Sequence, residues 1–251
     1  MSCFTLSIRP VMLFIAFTGL AVLTASCGPA ERLRERAAVE PSPSPTAAER
    51  EISGVFNVEG SAENGNNPYT GVLTIQPQGD AYGFRWTTTK GTRVGTGVQI
   101  GNATATSFAA TGGGKGCTVF LYKISSDGSL DGKFVDWGYQ IVGTEKAKRI
   151  EGRTFVGKYE VAGDYGHPYK GTLTIKKDGS GYDFDWNLED AESGPFNRVA
   201  FGTWKGSFAA ASSRGRQCSF AVYDIQSNGN LNGDWGGQAA VTFGTETAKR
   251  Q

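Results

Sequence analysis

Histidine is almost missing from this chain: His167 is the only one among 251 residues. That excludes zinc sites built on several imidazoles, and it leaves no second base for a Ser-His-Asp or Cys-His set away from residue 167. A lone histidine in the turn Gly166-His167-Pro168, where the matching position holds Asn67, reads as a surface residue. Charge of one sign is also missing. The 25 basic and 24 acidic residues nearly cancel, and no dense Lys/Arg block marks an electrostatic footprint for nucleic acid. Beyond residue 51 no stretch keeps a helical period. The 36 glycines follow no Gly-X-Y repeat, which excludes collagen, and their abundance argues against a helical bundle. No cofactor motif is recognisable. Gly112-Gly113-Gly114-Lys115-Gly116 lacks P-loop spacing and a following helix, and reads as a hairpin turn. The Asp127–Asp131 turn lacks the EF-hand ligand series.

What is present begins with an export address. Arg9 precedes an apolar run from Val11 to Leu23, too short to span a bilayer and suited to a signal-peptide core. The run ends in Leu23-Thr24-Ala25-Ser26-Cys27. Small residues followed by cysteine resemble the bacterial lipoprotein export signal, although Thr24 stands where that signal usually has leucine. The resemblance implies cleavage after residue 26, a lipid such as palmitate on Cys27, and, with Gly28 rather than aspartate next, the outer membrane. An ordinary signal peptide would instead give a secreted or periplasmic protein. Residues 27–51, with Pro41-Ser42-Pro43-Ser44-Pro45 and mixed charge, read as a disordered tether.

From residue 52 the chain repeats itself at an offset near one hundred. Pro68-Tyr69-Thr70-Gly71 returns as Pro168-Tyr169-Lys170-Gly171, and Tyr82-Gly83-Phe84-Arg85-Trp86 as Tyr182-Asp183-Phe184-Asp185-Trp186. Ser107-Phe108-Ala109-Ala110 matches Ser207-Phe208-Ala209-Ala210, Cys117 matches Cys218, Tyr122 matches Tyr223, and Gly143-Thr144-Glu145 matches Gly244-Thr245-Glu246. Two modules follow, over 52–149 and 153–250. Within each the period is two, and turn signals such as Gln78-Gly79-Asp80 and Asn228-Gly229-Asn230 separate about eight short strands. In the first module they fall near 52–59, 69–76, 81–88, 93–101, 104–111, 117–124, 129–135 and 139–147. The fold class is therefore all-β, a tandem antiparallel meander. Two small closed barrels, each copy with its own core, are the expected form, and β-sandwiches the alternative. The strand number and the repeated aromatic stripes resemble calycin and avidin-like barrels at the level of architecture, which implies an up-and-down barrel and no particular activity.

Tyr82, Trp86, Tyr182 and Trp186 lie on the in-facing stripes and are the candidate pocket residues. Glu145 and Glu246 recur at one position. They read either as acid/base or cation-binding groups, or as strand-end carboxylates accepting backbone hydrogen bonds at a barrel rim. Cys117 and Cys218 are either a disulfide across a two-fold contact or two small buried hydrophobes. No catalytic cluster emerges. The expected function is a non-enzymatic cell-envelope lipoprotein with a binding or structural role, joined to the membrane by its lipid. The alternatives are a carrier of a small apolar ligand and a hydrolase using one of the glutamates. A protein partner or a small apolar ligand is the expected contact, and nucleic acid is not.

Overall fold

The computed structural model describes residues 49–62, 65–215, 217–237 and 242–251. The signal segment, Cys27 and the tether up to residue 48 lie outside the described residues. The first repeat forms β1 (Gly54–Ser61), β2 (Tyr69–Gln78), β3 (Ala81–Thr88), β4 (Gly91–Ile100), β5 (Ala103–Ala110), β6 (Thr118–Ile124), β7 (Leu130–Asp136) and β8 (Gly143–Glu151). The second forms β9 (Gly157–Asp164), β10 (Pro168–Asp178), β11 (Gly181–Asp190), β12 (Gly194–Lys205), β13 (Phe208–Ser213), β14 (Ser219–Ile225), β15 (Leu231–Gly237) and β16 (Gly244–Arg250). The expected strands fall within a few residues of these. The largest difference is β8, which starts at Gly143 because Tyr139 and Ile141 stand in solvent, 58% and 63% exposed.

These strands close into two antiparallel barrels of eight. The barrels do not coincide with the repeats. The first barrel takes β1–β5 from repeat one and β14–β16 from repeat two; the second takes β6–β8 from repeat one and β9–β13 from repeat two. Each copy therefore lends a three-strand arm to the other, and neither core belongs to one copy. β5 pairs with β14 and β13 with β6, so the chain crosses between barrels twice, over residues 111–117 and 214–218. The glycine run at 112–116 is one of those crossings, not a hairpin loop.

A Cys117–Cys218 disulfide joins the two crossings, with Cα atoms 5.7 Å apart. Ser107 and Ser212 meet beside it through their hydroxyls at 2.7 Å. That contact also corrects the repeat alignment. Tyr223 pairs with Thr104 and Tyr122 with Ala209, so Ser107 corresponds to Ser212 and not to Ser207. The two Ser-Phe-Ala-Ala stretches are five residues out of step. Five is odd, so their phenylalanines face opposite ways: Phe108 enters the first barrel, and Phe208 packs between the barrels.

The interface between the barrels explains why β5 and β13 are buried on both faces. Val98, Ala103, Ala105 and Val222 of the first barrel pack on Val119, Leu121, Phe208 and Ala210 of the second. Lys205 on β12 pairs with Asp234 on β15 at 2.8 Å. Inside, each barrel keeps a separate core. One end of each is plugged by the segment before β1 or β9, through Ile52 and Phe155.

The disulfide closes a loop of 101 residues. Replacing both cysteines by serine is expected to destabilise the protein by on the order of 2–5 kcal/mol. Calorimetry of the oxidised protein and the double variant measures this, and coincident transitions would show that the crossings need no covalent tie.

Candidate functional site

A single row of residues crosses five adjacent strands in each barrel. In the first it runs Tyr69 (β2), Gly60 (β1), Glu246 (β16), Gly233 (β15), Tyr223 (β14). In the second it runs Tyr169 (β10), Gly163 (β9), Glu145 (β8), Gly132 (β7), Tyr122 (β6). Cross-strand partners on one face share the barrel interior. The glycines leave the space through which the tyrosine rings reach the carboxylate. A Cβ on Gly60 would stand 2.4 Å from the Tyr69 ring, and one on Gly233 would stand 2.3 Å from the Tyr223 ring.

The carboxylates are not at a rim, and their partners are not backbone groups. Glu246 Oε1 accepts hydrogen bonds from Tyr223 Oη at 2.7 Å and Trp86 Nε1 at 3.0 Å, and Oε2 accepts one from Tyr69 Oη at 2.8 Å. Glu145 repeats the pattern: Tyr122 at 2.7 Å and Trp186 at 3.1 Å on Oε1, Tyr169 at 2.8 Å on Oε2. Glu145 is 1% exposed and Glu246 4%. Burial pushes both carboxyls above their ordinary range, and the three donors pull the other way without cancelling it. Burial, then the neighbouring carboxylate, pushes Tyr122, Tyr169, Tyr69 and Tyr223 up, so these hydroxyls stay protonated and donate.

The two clusters differ in what lies above them. In the first barrel a cavity of about 400 Å³ descends to Glu246, between Trp86, Phe108, Trp235 and Ala221, with Ala62, Asn67, Lys90 and Arg93 toward its mouth. In the second barrel larger side chains stand at four of the matching positions, while Ser213 and Phe134 stand where the first has Phe108 and Trp235. By strand register Phe120 replaces Ala221, Leu188 replaces Thr88, and Phe196 replaces Gly91. Tyr165 follows β9 where Ala62 follows β1. Phe120 stacks on Trp186 with centroids 4.6 Å apart, and Tyr165 lies 5.3 Å from Phe134.

Of the four expected pocket residues, Trp86 and Trp186 are cluster donors, and Trp86 lines the cavity. Tyr82 and Tyr182 are half-buried and do not join either cluster. Tyr182 packs edge-on against Phe155 at the plugged end, under Lys177 Nζ at 4.2 Å. His167 meets Glu192, Nδ1 to Oε2 at 3.0 Å, on the surface. Among the described residues no group of three or more His, Cys, Asp and Glu side chains is placed to hold a metal ion. Tyr69, Tyr223 and their twins were legible as repeated tyrosines, but nothing in a strand pattern says that rings two strands away meet one carboxylate. No protein-family model, curated protein or solved structure matches the chain.

Two expectations follow. Gly233→Ala should destabilise the protein by about 1–3 kcal/mol, because the methyl meets both the Tyr223 ring and a backbone carbonyl; chemical denaturation with no loss of stability would show that the row tolerates a side chain there. The raised carboxyls also set a pH dependence. Between the ordinary and the raised value the folded state binds more protons than the unfolded one, so their contribution to stability falls as pH rises through that window and stays low above it. A Glu145→Gln/Glu246→Gln variant lacks this fall, so its stability should gain on the wild type as pH rises from about 4.5. Parallel curves of unfolding free energy against pH would contradict it.

Proposed function

We propose that this protein is a non-enzymatic binding lipoprotein of the bacterial cell envelope, in which the first barrel admits a small ligand and the second is its closed structural partner. The observation that carries the reading is the cavity of about 400 Å³ above Glu246, within the size range of ligand sites. Four residues near it, Ala62, Thr88, Gly91 and Ala221, are smaller than their counterparts in the sister barrel and leave the space open. The floor is polar and the walls are aromatic, which suits a ligand with an apolar body and at least one polar group. A purely apolar carrier would leave Glu246 facing hydrocarbon, at a desolvation cost. Glycoside hydrolysis uses two carboxylates flanking one bond, whereas Glu145 and Glu246 lie in different barrels. The lipid anchor at Cys27 and the tether behind it would hold the barrels off the outer membrane.

Native mass spectrometry of protein isolated from its own cells tests the binding role. A small-molecule adduct is expected on the wild type and its loss from Ala221→Phe/Thr88→Leu, which copies the filling of the second barrel. An adduct that survives in this variant would place the ligand elsewhere, and a wild type free of adducts would favour the structural role. For the anchor, Cys27→Ser should move the protein from the membrane to the soluble fraction; a variant that still sediments with membranes would remove that part of the reading.

A further inference from the structure

The second barrel holds a charged side chain where the first barrel has its cavity. Trp186 pairs across strands with Arg198, as Trp86 pairs with Arg93, so the two arginines are counterparts. They behave differently. The Arg198 guanidinium lies 5.2 Å from the centre of the Phe134 ring and 5.4 Å from that of Phe196. Its Nη1 is buried without a hydrogen-bond partner, and its charge favours the ionised form of Glu145. The second barrel thus holds a cation of its own between aromatic faces, above a carboxylate bound by two tyrosines and a tryptophan. In the first barrel Arg93 is exposed at the mouth, and the matching space is the cavity.

We infer that the first barrel binds a small zwitterion, whose guanidinium or ammonium end enters toward Glu246 and whose anionic end faces Lys90 and Arg93. The inference rests on the reading of that barrel as the ligand-binding one. Trp235 takes the place of Phe134, and an indole face attracts cations more strongly than a phenyl ring. Phe108 closes the wall, 5.3 Å from Trp86 and 6.3 Å from Trp235. Glu246 Oε1 already accepts two hydrogen bonds, but Oε2 accepts only the one from Tyr69, so it keeps capacity for a charge-assisted donor. An incoming cation would also offset the cost of ionising a buried carboxyl. Lys90 and Arg93 at the mouth disfavour a simple cation. Together with Glu246 they make a charge gradient along the cavity, negative at the floor and positive at the rim, which a zwitterion matches end to end.

Calorimetric titration of the intact protein with four probes tests this: 4-guanidinobutyrate, n-propylguanidinium, isoamyl alcohol and butyrate. The zwitterion 4-guanidinobutyrate should bind most tightly, n-propylguanidinium less, and the neutral and anionic probes about tenfold or more weaker than 4-guanidinobutyrate. Glu246→Gln should lose about tenfold or more for 4-guanidinobutyrate while leaving isoamyl alcohol unchanged. Should that variant fail to fold, Lys90→Gln at the exposed rim provides the second reading, weakening 4-guanidinobutyrate toward the level of n-propylguanidinium. Equal affinity for isoamyl alcohol and 4-guanidinobutyrate, undiminished 4-guanidinobutyrate binding in a folded Glu246→Gln, or no 4-guanidinobutyrate binding up to about 50 mM would each overturn the inference. If the native adduct is still lost on filling the cavity, the failure belongs to the ligand class alone; if no adduct exists, the binding reading falls as well.

Discussion

A carboxylate inside a barrel eight strands around must be given donors, and this chain supplies them by leaving out side chains. Glu246 and Glu145 each sit between two glycines on the neighbouring strands, and each receives tyrosine hydroxyls that reach across those glycines. The arrangement fixes register over five strands at once, because sliding any one of them by a residue turns its member of the row out of the barrel. In the first barrel it also crosses the seam between β1 and β16, where the first and last strands meet to close the barrel; in the second it stays on β6–β10, which follow one another along the chain. In the first barrel closure and the polar centre are therefore one constraint. A buried charge with matched partners is a poor source of net stability, but an unmatched one is severely destabilising, which is how such a row selects one register over its neighbours.

The exchange of arms follows from the same economy. β5 pairs with β14 and not with β6, yet the row Tyr–Gly–Glu–Gly–Tyr would form in either arrangement, since Tyr122 and Tyr223 match, as do Glu145 and Glu246. What distinguishes the exchanged form is the face outside the barrels. Val98, Ala103, Ala105, Val119 and Leu121 point away from the interiors and would meet water in an isolated barrel. In the exchanged form two crossings joined by the Cys117–Cys218 bond hold these residues together.

Most of the fold was legible because strands advertise themselves with a period of two and turns with Gly79, Gly179, Gly128 and Gly229, all in the left-handed region. The exchange was not, because it changes which copy supplies a strand and not the pattern of the strand. One signal did exist. Val119-Phe120-Leu121-Tyr122 and Ala209-Ala210-Ala211 are continuous apolar runs, which a strand with one wet face does not need, and they mark the strands buried on both sides. The Ser-Phe-Ala-Ala coincidence concealed a change of spacing, since the longer hairpin after β11 and the shorter second crossing nearly cancel. For the site, Trp86 could be read from its stripe. The burial of Glu246 could not, since its donors come from strands β2, β3 and β14, and only closure brings these together.

The difference between the barrels then has a physical meaning. Both keep the costly polar centre, so the centre alone says nothing of a ligand. What separates them is volume. Ala62, Thr88, Gly91 and Ala221 stand in one barrel where Tyr165, Leu188, Phe196 and Phe120 stand in the other, and these four changes outweigh Phe108 and Trp235, which stand where the second barrel has Ser213 and Phe134. Emptying a core in this way costs stability at each step, by roughly 24 cal/mol for every Å³ left unfilled. The sister barrel shows that the same scaffold can close the space with ordinary side chains and an arginine. On the proposed binding reading, a fold that has this solution in one half and forgoes it in the other would be trading stability for access to Glu246, and an occupant supplied from outside would return in the bound state the packing that the empty barrel gives up.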